Sequence, residues 1–185
     1  MENLRVLVID DEPGMRLGVA RVLQDYATTM PDVEGEVRFT VEQAESGEEG
    51  LARIREHAPD LVLLDHKLPG ISGLEALEAL NPEQRVDLLV IMITAYATIE
   101  AAVTATKRGA YDFLAKPFTP AELRATIRKA AARLLLARQA RRLAQEKRQV
   151  RFEFVRVLGH ELKSPLGAVE GYINMLQTKT LGNEL

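Results

Sequence analysis

Four consecutive aliphatic residues stand between two aspartates in the stretch DLVLLD, Asp60–Asp65. A strand points successive side chains to opposite faces of its sheet, so a run without polar positions predicts a strand that is covered on both faces. The segment DLLVIMIT, Asp87–Thr94, repeats the pattern. Such strands are typical of parallel sheets with helices packed on both sides.

Further strands and helices alternate on either side of this pair. The predicted strands are Leu4–Asp10, Val37–Ala44, Asp60–Asp65, Asp87–Thr94 and Ala110–Lys116. The predicted helices are Gly14–Tyr26, a helix begun by a Ser46/Glu49 capping box, Gly73–Leu80 and Thr98–Arg108. This alternation predicts an α/β fold, a doubly wound sheet of five parallel strands in the order 2-1-3-4-5. The loop Thr28–Glu36 receives no assignment.

The composition changes near Pro120. Residues 1–119 have a net charge of −10 and residues 120–185 a net charge of +7, and seven of the eight prolines lie at or before Pro120. Residues 121–158 contain neither proline nor glycine, which favours an uninterrupted helix. We therefore predict three parts, residues 1–119, 120–158 and 159–185.

Several classes of protein are disfavoured by composition. The chain has no cysteine, which excludes disulfides and thiolate metal sites. No apolar run reaches the roughly 18 residues of a membrane span, and no signal peptide precedes the first strand, so we expect a cytoplasmic protein. The positive charges of the tail are spread around a helix without interleaved aromatics, which argues against nucleic-acid binding.

Polar side chains follow the predicted strands where each strand ends. Asp10 ends the first strand and Asp11 follows it, and Asp65, Thr94 and Lys116 end the third, fourth and fifth. The carboxyl ends of parallel strands meet at one edge of the sheet, so we expect these side chains to converge. Three adjacent carboxylates repel one another, and a hard divalent cation with oxygen ligands relieves that repulsion. The pattern predicts a Mg²⁺ site.

The motifs VLVIDDEP, DLVLLDHKLPGISG and FLAKPF, together with a threonine that closes the fourth strand, resemble the receiver domain of two-component response regulators. The resemblance covers about residues 3–119 and implies a flavodoxin-like or CheY-like fold. It implies that Asp65 accepts a phosphoryl group from the phosphohistidine of a kinase or phosphotransfer protein. Asp10, Asp11, Asp65 and the Lys67 backbone carbonyl would hold Mg²⁺, and Lys116 would neutralise the phosphoryl oxygens.

The same resemblance implies a conformational switch. Thr94 would donate its hydroxyl to the new phosphoryl group, and Phe113 would turn inward as Thr94 moves. The family position matched by the Lys116–Pro117 bond is usually cis. Lys67 and Tyr96 would flank the path of an attacking water, so we expect these bulky residues to slow hydrolysis of the acyl phosphate.

The helical segment that follows has an apolar seam in steps of three and four residues. The seam consists of Leu136, Ala140, Leu143, Lys147, Val150, Phe154 and Val157. A coiled coil would explain it, and we expect a parallel homodimer through the tail. The alternative is a single amphipathic helix docked on the first part of its own chain.

The last segment, GHELKSPLGAVEGYINML, resembles the first helix of the dimerisation and histidine-phosphotransfer domain of sensor kinases. By that resemblance His160 would attack the γ-phosphate of ATP, and Glu161 would accept the imidazole proton. Ser164 would assist a water that attacks a partner's acyl phosphate, and Pro165 would kink the helix.

The two resemblances together suggest the beginning of a hybrid histidine kinase. No ATP-binding domain follows within the 185 residues, so we expect this chain to have only the phosphotransfer and autodephosphorylation activities of a receiver. Phosphorylation of Asp65 would control the attached kinase through the helical linker. The alternatives are a phosphate sink or relay whose tail only dimerises, a scaffold that takes no phosphate, and a DNA-binding regulator. The last is disfavoured because no helix-turn-helix follows the first domain.

Overall fold

The computed structural model describes residues 2–30, 33–80, 87–95 and 99–181. The side chains of residues 33–34, 99–102, 160–162, 164–165, 168 and 177–181 lie outside this description. The chain forms two compact units, Met1–Arg138 and Gln139–Leu185. No helix in the described ranges has the length and apolarity needed to cross a membrane.

The first unit is a doubly wound α/β sheet. Its strands are β1 (Glu2–Ile9), β2 (Ala27–Met30), β3 (Val33–Ala44), β4 (Leu61–Asp65), β5 (Leu89–Thr94) and β6 (Asp112–Ala115). The helices between them are α1 (Pro13–Gln24), α2 (Gly47–Glu56), α3 (Gly73–Glu78) and α4 (Ile99–Lys107), and the last helix is α5 (Pro120–Leu181). The sheet has the order β2-β3-β1-β4-β5-β6.

The prediction of a five-stranded sheet was wrong in one respect, because the sheet has six strands. All but the first residue of the additional strand β2 lies in the loop Thr28–Glu36 that received no assignment, and β2 pairs antiparallel with β3. The hairpin was missed because β2 is only four residues long and its neighbour β3 begins four residues earlier than predicted. The five parallel strands do follow the predicted order.

The inner strands are buried on both faces, as their aliphatic runs predict. In β4, Leu61 and Leu63 pack with α1 and α5, whereas Val62 and Leu64 pack on the opposite face with α2, α3 and α4. Each face therefore has its own apolar cluster. At about 25 cal/mol per Å² of buried apolar surface, this two-sided burial is the main stabilising contribution to the fold.

Local signals in the sequence explain where two of the helices begin. The Ser46 hydroxyl accepts a hydrogen bond from the Glu49 backbone N–H at the start of α2. Ser72 and Glu75 form a reciprocal capping box at the start of α3. Such caps satisfy backbone N–H groups that have no partner within the helix. Both caps fix the loops at the carboxyl edge of the sheet.

Helix α5 belongs to both units. In the first unit its apolar side is buried against the sheet through Leu123, Ile127, Ala130, Ala131 and Leu134. In the second unit the described side chains of α5 are exposed or partly exposed, including those of Leu143, Val150 and Phe154. The helical tail was predicted, but the structure contains one chain, so the coiled coil stays a prediction.

Candidate phosphoacceptor site

The parallel register brings the ends of four strands to one edge of the sheet. Ile9 pairs with Leu64, Asp65 with Ile93, and Thr94 with Ala115. Each polar residue of interest ends its strand or directly follows it. The convergence of side chains that are far apart in sequence therefore follows from strand register.

The side chains form a cavity of about 230 Å³. It is lined by Asp11, Glu12, Asp65, His66, Lys67, Thr94, Ala95 and Lys116. Asp65 is 5% exposed, while Asp10 beneath it is fully buried. This is the arrangement predicted for Asp10, Asp11, Asp65, Thr94 and Lys116, and Lys67 lies in the same lining. The roles assigned to these residues stay predictions.

Lys116 neutralises the buried acids. Its Nζ donates a 2.8 Å hydrogen bond to Asp10 Oδ2 and lies 3.4 Å from Asp65 Oδ1 and 3.8 Å from Glu12 Oε1. Burial favours a lower pKa for Lys116, but the hydrogen bond to Asp10 and the charge of Asp65 outweigh it and raise that pKa. Lys116 is therefore a stable cation beside the Asp65 carboxylate.

The surroundings of the Asp65 carboxyl group shift its pKa so that the neutral form is favoured, whereas those of Lys116 favour the charged form. Burial raises the pKa of Asp65 above the ordinary value; the charge of Lys116 lowers it, and the charge of Asp10 raises it again. The net direction is upward. The ionised form of Asp65 is therefore destabilised in the folded protein, and a further cation would stabilise it.

A divalent cation fits the donors at this site. Asp10, Asp11 and Asp65 each offer one carboxylate oxygen, and the three oxygens lie within 4.8 Å of one another. Oxygen donors of this kind suit Mg²⁺ or Ca²⁺ rather than soft metals. The Lys67 backbone carbonyl is a further ligand implied by the sequence resemblance.

Three residues were missed as parts of the site. The Glu12 backbone N–H donates to Asp10 Oδ1 at 2.9 Å, and Arg16 donates to the Asp10 carbonyl oxygen at 2.6 Å. Glu48 accepts a hydrogen bond from the Ile71 N–H at 3.1 Å and so holds the loop that follows Asp65. Glu12 directly follows the acid pair, a signal that was available in the sequence. Arg16 and Glu48 lack such a signal because their roles depend on tertiary packing.

The remaining predicted positions differ in how far the structure describes them. Phe113 lies on β6 with its side chain 40% exposed, and the Lys116–Pro117 peptide is cis. His160, Glu161, Ser164 and Pro165 lie within α5, but their side chains are outside the described residues. Tyr96 also lies outside the described residues.

Residues 6–128 match the response regulator receiver domain. The chain belongs to this family. Receiver domains accept phosphate from histidine kinases or phosphotransfer proteins, so the chain acts in two-component, phosphorylation-based signalling. The predicted receiver resemblance is therefore confirmed.

Curated relatives of this receiver chain are longer regulators. It is 37% identical over 142 residues to the nitrogen assimilation regulatory protein NtrX of Azorhizobium caulinodans, covering 76% of this chain and 29% of NtrX. It is 34% identical over 131 residues to the nitrate/nitrite response regulator NarL of Escherichia coli, covering 71% of this chain and 56% of NarL.

Solved structures share the fold of the receiver unit. The chemotaxis response regulator CheY4 of Vibrio cholerae has a TM-score of 0.60 at 27% identity, over 69% of this chain and 98% of CheY4. NtrX of Brucella abortus, solved in complex with ADP, has a TM-score of 0.60 at 34% identity, over 78% of this chain and 29% of NtrX. The CheY-like fold predicted from the sequence is therefore confirmed, with β2 as an addition.

Proposed function

We propose that Asp65 is the phosphoacceptor of this receiver and that Lys116, Thr94 and Mg²⁺ assist the transfer. The observation that carries the proposal is the 3.4 Å separation of Lys116 Nζ and Asp65 Oδ1 inside a cavity that is also lined by Asp11 and Glu12. A cation held beside a buried carboxylate is suited to stabilise the added charge of a phosphoryl group.

The transfer moves one phosphoryl group between two residues. A carboxylate oxygen of Asp65 bonds to phosphorus, and the bond between phosphorus and the donor imidazole nitrogen breaks, with its electron pair returning to the ring. Lys116 faces the oxygens on which charge accumulates. Asp10, Asp11, Asp65 and the Lys67 carbonyl would hold Mg²⁺, which when bound supplies further positive charge to those oxygens.

Thr94 and Phe113 would change their positions when Asp65 is phosphorylated. Thr94 ends β5 beside the cavity, and its hydroxyl would donate to a phosphoryl oxygen. Phe113, at 40% exposure, has room to become more buried when Thr94 is drawn toward Asp65. This pairing would change the surface formed by α4, β6 and the start of α5.

The tail would carry the output in a longer protein. We propose that residues 1–119 are the receiver, 120–158 a dimeric helical linker, and 159–185 the first helix of a histidine kinase dimerisation domain. The box from His160 to Pro165 supports this, with His160 as phosphoacceptor and Glu161 as proton acceptor. Phosphorylation of Asp65 would then control the attached kinase through the linker.

The two curated relatives are named as regulatory proteins, which gives no support for an attached kinase. The alternative that we test against kinase control is a phosphate sink or relay whose tail only dimerises. Kinase activity of a longer protein with an ATP-binding domain, compared before and after Asp65→Ala, distinguishes the two. A change in phosphohistidine formation at His160 supports control of the kinase, and unchanged formation supports the sink.

Intact mass spectrometry tests the assignment of Asp65. Incubation with acetyl phosphate and Mg²⁺ should add one phosphoryl group, and treatment with hydroxylamine should remove it, as expected for an acyl phosphate. Asp65→Ala should remain unmodified, whereas Asp112→Ala, in which a partly exposed aspartate of β6 outside the cavity is replaced, should gain the group normally. Modification of Asp65→Ala at the normal rate would refute the assignment.

A further inference from the structure

The second unit presents a groove on one side of α5. The groove has a volume of about 590 Å³ and is lined by Leu143, Glu146, Lys147, Val150, Arg151 and Phe154. Its apolar members are largely exposed in the single chain, with Val150 at 69% and Phe154 at 63%. An apolar surface of this kind gains free energy when it is covered.

The six lining residues divide into two overlapping sets of four. Leu143, Glu146, Lys147 and Val150 form one set, and Lys147, Val150, Arg151 and Phe154 form the other. Each set has the spacing i, i+3, i+4, i+7. In a coiled coil, each side chain of the seam inserts into a hole made by four residues of the facing helix. The groove therefore consists of two adjacent holes of this type.

The charges beside the groove are not symmetric. Glu146 precedes Lys147 on one flank of the seam, and Arg151 follows Val150 on the other. Glu146 pairs with Arg142 in the single chain at 3.0 Å, but both side chains are exposed, so little stability is lost if Glu146 changes partner. Opposite charges therefore lie on opposite flanks of one seam.

We propose that a second copy of this chain covers the groove in a parallel, in-register arrangement that is fixed by the residues Glu146, Lys147 and Arg151. The inference rests on the proposed parallel dimer of the tail and adds the residues that fix its orientation and register. Lys147 inserts its aliphatic stem into the hole that contains the partner's Glu146, and its ammonium reaches that carboxylate. Glu146 pairs with the partner's Arg151, five positions further along the chain.

The charge pattern selects against the antiparallel arrangement. In a parallel pair, the flank that carries Glu146 faces the flank that carries the partner's Arg151. In an antiparallel pair, equivalent flanks face each other, so Glu146 faces the partner's Glu153 and Arg151 loses its glutamate partner. Like charges at these positions are destabilising. The single lysine in the seam also lowers stability while selecting one register and a small number of strands.

Single cysteines test the orientation, because the chain has no cysteine of its own. Leu143→Cys and Val157→Cys, each in the full chain under mild oxidation, should form disulfide-linked dimers with themselves. Gln145→Cys, on the outward side of the helix, is the matched control and should remain mostly reduced. Cross-linking only in a mixture of Leu143→Cys with Phe154→Cys would show an antiparallel pair and overturn the inference.

Charge reversal tests the residues that set the register. Glu146→Arg and Arg151→Glu should each weaken dimerisation roughly tenfold in sedimentation equilibrium, because two attractive contacts become repulsive. An equal mixture of the two variants should recover most of the loss, since both contacts are again attractive in the mixed dimer. Arg148→Glu, off the seam, is the control. Equal dimerisation of all variants would overturn the assignment.

These outcomes are independent of the phosphoacceptor assignment. The measurements use no phosphodonor, and phosphorylation of Asp65 is read by mass in the same variants. A chain that stays monomeric at all concentrations overturns the dimer and this inference, but it leaves Asp65 as acceptor. A dimer with a different cross-linking pattern overturns the register alone.

Discussion

Lys116 Nζ donates a 2.8 Å hydrogen bond to Oδ2 of Asp10, a residue with no exposed surface. One cation at the end of β6 thus satisfies a carboxylate that follows β1, 106 positions earlier in the chain. The same ammonium lies 3.4 Å from the proposed acceptor. Lys116 therefore both stabilises the buried Asp10 carboxylate and places a positive charge beside the proposed acceptor Asp65.

Removing this cation should destabilise the protein. Lys116→Met leaves Asp10 buried without its ion pair, which costs about 3 kcal/mol of unfolding free energy in metal-free buffer. Urea denaturation with EDTA measures the loss, and added Mg²⁺ should recover part of it. Lys129→Met removes an exposed pair with Asp112 and should cost less than about 1 kcal/mol. Equal losses in the two variants would contradict the role of Lys116.

Neutralising the acceptor should have the opposite effect. Burial raises the pKa of Asp65, so the folded protein binds this proton more tightly than the unfolded chain. The contribution of Asp65 to stability is present below its ordinary pKa of 3.8 and is lost as pH rises through the raised value. Asp65→Asn should therefore stabilise the metal-free protein at neutral pH, by on the order of 1 kcal/mol.

The pH dependence of stability shows whether the gain from Asp65→Asn comes from removing the Asp65 charge or from a change that is independent of charge. The stability gained by Asp65→Asn should grow as pH rises from about 3.5 and become constant above the raised pKa. Asp11→Asn, an exposed member of the same acidic cluster, should give a smaller gain. A gain that is the same at all pH values would show that the Asp65 charge is not its cause.

The start of α3 leaves no room for a side chain next to the acceptor. A Cβ at Gly73 would overlap the carbonyl oxygen of Asp65, a backbone atom that cannot rotate away. Gly73→Ala should therefore lower stability by about 2 kcal/mol or more and slow phosphorylation by acetyl phosphate. Gly18→Ala, in an open position of α1, should instead stabilise by about 0.5–1 kcal/mol. Normal phosphorylation of Gly73→Ala would contradict this reading.

An ion pair at the opposite edge of the sheet holds α5 to the receiver unit. Arg138 Nη2 donates to Asp60 Oδ1 at 2.6 Å and to the Asp87 carbonyl oxygen at 3.2 Å. Arg138→Ala should cost about 1–2 kcal/mol because the partly buried Asp60 loses a charged donor. Arg38→Ala, which removes an exposed pair with Glu36, should cost less than about 0.5 kcal/mol in the same thermal unfolding assay.

The proposed switch predicts a change in the surroundings of Phe113. The chain has no tryptophan, so Phe113→Trp gives a single fluorescent reporter. Beryllofluoride with Mg²⁺ should shift its emission to shorter wavelength and reduce quenching by acrylamide, because the ring becomes more buried. The double variant with Thr94→Ala should lose most of this response. An unchanged spectrum in the single variant would rule out an inward movement of residue 113.

The sequence was sufficient for the parallel core and for the convergence of Asp10, Asp65 and Lys116, because uninterrupted aliphatic runs and strand ends are local signals. It was insufficient for β2, since a strand of four residues is too short to show a periodic pattern. The contacts of Arg16 and Glu48 depend on how helices lie against loops, which no local pattern records. The sequence of one chain likewise does not identify what covers the apolar seam of the tail, because that contact is made between two molecules.

The two outer strands of the described sheet, β2 and β6, have four residues each. The pairing of β2 is also irregular between Thr29 and Met30. Short, irregular strands offer few free backbone groups to an incoming strand, so β2 and β6 limit edge-to-edge growth at the borders that they form. Strand β3 extends beyond β2 from Phe39 to Ala44, so this segment is where crowded copies of the chain are expected to add a strand, if they do so at either border.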